Sequence, residues 1–175
     1  INNFSGASAD FQSFTQQAPR SDENYALGFY NLGYSRFKQQ QYAAARTAFQ
    51  NYVAAQNDKD VPEYADAHNR IGDTYYFSRS FAEAERFYNA ASNLNPASAD
   101  YAAYQQAFVM GLQRNYEGKI SALDKLMSAY PNSHYYDDAL FEKSRALVMI
   151  NRESEAVNVL NKLITEFPQR PLARQ

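Results

Sequence analysis

YNLGYSRFKQQQYAAARTAFQNY, residues 30–52, decides the reading of this chain. Gly33 is a small residue inside an apolar and aromatic run, and Ala45 repeats that smallness 12 residues later. Phe49 then follows four positions on and Tyr52 three beyond that. Offsets of four and three return to one face of an α-helix. The stretch therefore reads as two helices, with Gly33 and Ala45 letting their backbones approach closely.

The same pattern recurs as Ala7/Phe11/Phe14, Ala84/Tyr88/Ala91, Lys119/Leu123/Leu126 and Ala156/Leu160/Leu163. The steps from Ala7 through Ala45, Ala84 and Lys119 to Ala156 are 38, 39, 35 and 37 residues. That is the span of two helices and two short turns. The other half of each unit has its own marker 12 residues earlier, at Leu32-Gly33, Ile71-Gly72, Gln106-Ala107 and Lys143-Ser144. Pro19, Pro96, Pro131 and Pro168 each fall where a packed helix would have to stop.

The run Tyr30-Asn31-Leu32-Gly33 through Lys38-Gln39, with Tyr42, Ala45 and Phe49, resembles the tetratricopeptide repeat consensus. Arg70-Ile71-Gly72, Tyr75-Tyr76, Phe81, Ala84, Tyr88, Ala91 and Pro96 follow it nearly as closely. The resemblance implies an all-α fold, a right-handed superhelical solenoid of antiparallel helix pairs, in about four and a half repeats. It divides a single repeat domain over residues 1–175 into a second helix (1–20), repeats at 22–57, 60–96, 98–131 and 134–168, and the start of a further helix at 170–175. The chain opens at Ile1 within half a repeat and ends where another first helix would begin, as expected of a segment of a longer protein. Departures from the family pattern include Arg36 and His68 where an aromatic is usual, and Lys119 where a small residue is usual. Gly118 is expected to relieve crowding at Lys119, and the lysine stem to run outward.

Composition narrows the function classes. With 45% hydrophobic and 21% charged residues, the chain has the balance of a folded domain. A formal net charge of −2, with lysines and arginines scattered singly, lacks the footprint of a nucleic-acid binder. No apolar run approaches a spanning length, so direct membrane insertion is not expected. Cysteine is absent, which excludes disulfides and thiolate metal sites.

The pattern predicts helices over 4–17, 22–39, 42–56, 61–78, 81–94, 99–114, 116–129, 134–150 and 153–167. Asp22 is expected to cap the second, Pro62 to sit in the first turn of the fourth, and Ser98 and Asn132-Ser133 to open later ones. His134 and Asp138 would share a helical face, but two ligands do not make a metal site. No catalytic residue, metal or cofactor is expected: the carboxylate pairs Glu63/Asp66 and Asp137/Asp138 sit near helix starts, where they complement the helix dipole. His68 reads as a packing residue.

In the resembled family, the first helix of each pair lines a concave face on which peptides lie. Carried over, those positions are Tyr30, Tyr34, Phe37 and Lys38, then Asn69, Asp73, Tyr76 and Phe77. They continue with Tyr104, Phe108 and Leu112, then Phe141, Arg145, Val148 and Met149. Such a groove is mostly aromatic and would suit an apolar helix or a peptide with hydrophobic anchors. The clamp by which some relatives hold a chaperone's terminal carboxylate is missing, since Tyr30, Tyr34, Asp73 and Phe108 stand at its positions.

The expected function is a non-enzymatic protein–protein interaction scaffold with a protein or peptide partner. The alternative is a spacer or self-association segment of a long repeat protein, associating weakly through its open ends. Tyr130-Pro131-Asn132-Ser133, Asp137-Asp138-Ala139-Leu140 and Glu166-Phe167-Pro168 resemble repeats of bacterial cell-envelope assembly proteins, which implies a periplasmic location.

Overall fold

A computed structural model describes residues 3–95 and 99–169. The expected helix start at Ser98 and the further helix at 170–175 lie outside them. The described residues form nine α-helices and no strand: α1 (Phe4–Gln17), α2 (Tyr25–Lys38), α3 (Tyr42–Ala55), α4 (Pro62–Phe77), α5 (Phe81–Ser92), α6 (Ala99–Leu112), α7 (Tyr116–Ala129), α8 (Tyr136–Met149) and α9 (Glu153–Glu166). Two compact units are present, Ile1–Ala99 and Asp100–Gln175.

The helix starts show where local chemistry acted. Pro62 opens α4 as expected, its missing N–H costing nothing there. Asp22 does not cap α2: its carboxylate accepts from the Asn24 N–H at 2.8 Å, closing a turn, and α2 begins at Tyr25. Ser133 acts similarly, accepting from the Tyr135 N–H at 3.0 Å, so α8 begins at Tyr136. His134 therefore lies before the helix, and shares no helical face with Asp138. Among the described residues no group of three or more metal-ligating side chains converges. Among the described residues, the helix-start side chains that do cap are Asn3 and Asn115, which accept from Gly6 N and Gly118 N at 2.9 and 3.0 Å.

Each turn inside a helix pair is built the same way. Gln40, Arg79, Arg114 and Asn151 have φ of 61°, 60°, 62° and 57°. The residue after each sends its N–H back to the helix just ended: Gln41 to Arg36, Ser80 to Tyr75, Asn115 to Met110 and Arg152 to Leu147, all at 2.9–3.0 Å. This left-handed termination satisfies carbonyls the helix leaves open and reverses the chain within a few residues.

In the first unit, Phe49, Tyr52 and Ile71 are fully buried with Ala45 and Ala67. Burying side chains of that size stabilises by about 2–3 kcal/mol each. Gly33 and Gly72 make room for rings: a Cβ would stand 2.7 Å from Phe49 at Gly33 and 2.7 Å from Tyr88 at Gly72. The glycines thus receive a side chain of the neighbouring helix, not its backbone. In the second unit Ala107 packs with Leu123, Leu126 and Ala139, and a second cluster joins Ile120, Ala146, Leu147 and Ala156. A further row of small residues, Gly28, Ala67, Ala102 and Ala139, is buried five positions before Gly33, Gly72, Ala107 and Ser144.

Candidate partner-binding site

The first-helix faces of the first unit carry two arrangements. On one, the Tyr30 hydroxyl donates to Asp66 at 2.8 Å, and the Tyr34 hydroxyl donates to the same carboxylate oxygen. Both rings also pack edge-on against Phe49, at centroid distances of 5.9 and 5.3 Å. Arg70 continues the network along α4, reaching Asp66 at 3.3 Å and Asp73 at 2.5 Å, and Tyr88 donates to Asp73 at 2.8 Å. Burial raises the Tyr30 hydroxyl pKa, aided by the adjacent Asp66 charge. Burial also pushes Tyr34 up to about 12, with the Asp66 hydrogen bond adding to it. Both tyrosines are therefore neutral donors near neutral pH, bracing α2 against α4. Asn69 and Asp73, expected on the groove, are buried.

The other arrangement is aromatic. Phe77 stacks on Tyr42 at 4.5 Å with planes 6° apart, and meets Phe37 and Tyr76 edge-on at 5.9 and 5.3 Å. Phe77 keeps about half its surface exposed, and Lys38 beside Phe37 is exposed. Thus Phe37, Tyr76 and Phe77 come together near the ends of α2 and α4.

In the second unit the expected residues converge on a pocket of about 470 Å³. Phe108 and Leu112 of α6 and Phe141, Arg145, Val148 and Met149 of α8 line it. Leu112, Val148 and Met149 are 44%, 50% and 58% exposed, which is unusual for large apolar side chains beside a cavity. Tyr104 is not among the lining residues: it stacks on Tyr135 at 5.1 Å and on Phe108 at 6.5 Å.

Sequence reading missed the base of this pocket. Lys119, expected to run outward, is buried and its ammonium bonds the buried carboxylate of Glu142. The stem lies over Gly111, where a Cβ would stand 2.9 Å from Lys119 Cδ. It is Gly111 that makes its room, while Gly118 serves the Asn115 cap. Arg145 bonds the other oxygen of Glu142 at 2.9 Å, and its guanidinium lies 5.9 Å from the Phe141 ring centroid. Tyr116 and Leu160 complete the walls, placed by α7 and α9. The one signal for the ion pair was Lys119 standing where a small residue belongs, since a buried lysine needs an opposite charge.

A tetratricopeptide repeat model matches residues 28–55, 101–133 and 138–170, and a second tetratricopeptide repeat model matches 65–98. The chain belongs to the tetratricopeptide repeat family. No curated protein matches the sequence. Among solved structures, the tetratricopeptide repeat chain is similar to MamA, with a TM-score of 0.78 and 19% identity over 93% of this chain and 88% of that one. MamA from Desulfovibrio magneticus gives 0.72 and 17% over 94% and 89%. YrrB, described as a TPR protein with an unusual peptide-binding site, gives 0.77 and 17% over 98% and 82%. At these identities the likeness shows the helical-repeat fold. Tetratricopeptide repeat proteins are generally non-enzymatic scaffolds with protein or peptide partners. Among the described residues no helix is long and apolar enough to cross a membrane.

Proposed function

We propose that this tetratricopeptide repeat chain is a protein-interaction module that seats an apolar side chain of a partner peptide or helix in the pocket between Phe108, Phe141 and Met149. The observation that carries this is the exposure of Leu112, Val148 and Met149 around a cavity large enough for an aromatic or leucine side chain. Rigid rings supply contact area at low entropy cost, and a water-exposed apolar rim gains by being covered. In the first unit, exposed Phe77 with Phe37, Tyr76 and Lys38 offers a second contact, while Tyr30, Tyr34, Asn69 and Asp73 hold the helices that present it. Peptide binding by YrrB agrees with this reading. A bacterial cell-envelope location is supported by sequence resemblance alone.

The test is selection from a random displayed-peptide library by the whole chain and by a Leu112→Asp, Met149→Asp variant. Both substitutions fall on exposed positions at helix C-termini, so helicity should be kept and each carboxylate should cost no more than about 1 kcal/mol of stability. Enrichment of sequences with apolar anchors by the parent, and their loss in the variant, supports the pocket. Equal enrichment by both, or none by either, refutes it.

A further inference from the structure

Resting on the reading of the pocket as a peptide seat, we infer that its occupant carries a carboxylate beside the apolar anchor, and that Arg145 holds that carboxylate. Among the described residues, the charged side chains lining the cavity are Lys119, Glu142 and Arg145, two cations against one anion. Glu142 is already used on both sides, Oε2 by Lys119 and Oε1 by Arg145. The buried end of the set is closed: Lys119 lies under the Phe108 ring, its ammonium 5.6 Å from the centroid, with little surface of its own.

The excess positive charge therefore sits on Arg145, whose side chain is 62% exposed. Its guanidinium is a planar fork of five donors, of which Nη1 is committed to Glu142 at 2.9 Å. The remaining edge offers two parallel N–H groups, the geometry a carboxylate accepts in a bidentate pair. The walls beside it are Phe141, Val148 and Met149, so an anion arriving there is paired next to apolar surface, where screening by water is reduced. A lysine or arginine at that position would meet like charge. Apolar walls and the outward Arg145 guanidinium together fit an Asp or Glu within reach of a Leu, Phe or similar side chain on the same peptide.

The experiment uses the same displayed library with every peptide amidated at its C-terminus, so that acidic side chains are the only carboxylates offered. Selection is run on the whole chain and on Arg145→Gln, and the strongest sequence is resynthesised with its acids changed to amides. The expected result is enrichment of Asp or Glu beside the apolar anchor. Affinity should be about fivefold to tenfold weaker for either the amide peptide or Arg145→Gln, with no further loss when both are combined. Salt should weaken the parent pair and leave the Arg145→Gln pair nearly unchanged. Apolar sequences enriched without acids overturn the carboxylate inference while leaving the pocket standing. Failure of the pocket reading looks different, because Leu112→Asp, Met149→Asp then changes nothing. Binding of octanoate by the parent with no peptide enriched would also overturn the inference, in favour of a small amphiphile.

Discussion

Replacing Lys119 with leucine tests the buried ion pair at the pocket base. The reading of Lys119 as an outward stem predicts that Lys119→Leu is tolerated, and more easily than a large residue at Gly72. The structure reverses this. Lys119 and Glu142 side chains are 8% and 9% exposed, so the leucine leaves a buried carboxylate whose remaining cation, Arg145, lies mostly in solvent. Breaking a buried pair from one side costs about 3–5 kcal/mol. Arg145 still reaches Oε1, which puts the expected loss near the lower end, about 3 kcal/mol. In a chain of this length that is a fall of about 6–12 °C in Tm. Removing both charges with Lys119→Leu, Glu142→Leu should bring stability back to within about 1 kcal/mol of the parent, since an apolar pair of similar volume does not need desolvated charge compensation. Urea denaturation followed by circular dichroism, run on parent, singles and double, gives the coupling. A single variant within about 0.5 kcal/mol of the parent, or a double no more stable than the Lys119 single, would refute the reasoning.

Three further outcomes are expected. Gly33→Ala places a Cβ 2.7 Å from Phe49 and should cost about 1–3 kcal/mol; adding Phe49→Leu should recover part of it, as the Ala107–Leu123 pairing shows is workable, and thermal melts decide. Arg114→Gly relieves a left-handed backbone at an exposed side chain and should stabilise by about 1 kcal/mol, whereas a loss would mean the arginine itself contributes. Burial lowers the His68 pKa, outweighing the Nδ1 hydrogen bond to the Tyr64 carbonyl at 2.8 Å. Since the unfolded chain takes up that proton more readily, stability should be full above about pH 6.5 and decline as pH falls below it; His68→Gln should flatten this limb of a stability–pH curve.

The helices were legible because their faces are written at a spacing of three and four. From Tyr42 to Ala55 and from Tyr116 to Ala129 the apolar pattern alone placed both ends within a residue. The starts of α2 and α8 were not legible, because Asp22 and Ser133 have the chemistry of helix caps and spend it on turns instead. The recurring left-handed turn is not legible for a different reason. Gln, Arg, Arg and Asn share no side-chain feature, and the conformation is imposed by the helices on either side. In the candidate site, the family's groove register had already put apolar members such as Phe108, Leu112 and Phe141 on one face, and they line the same cavity. What register could not supply was partnership across helices: Asp66 read as a helix-start carboxylate accepts from two tyrosines of α2, and Lys119 finds its counter-charge 23 residues away.

The four alike turns bear on how the chain acquires its structure. Each reverses direction within a few residues, so the two helices it joins can meet without closing a long loop, and the entropy lost before their contacts form is small. Gly33 and Phe49, or Gly72 and Tyr88, are separated by only 16 residues and lie on either side of one such turn. Helix hairpins of this kind can nucleate independently at several places and then zip to their neighbours, with local contacts favouring rapid folding. A ribosome would not need to release the whole chain before the first of them had closed.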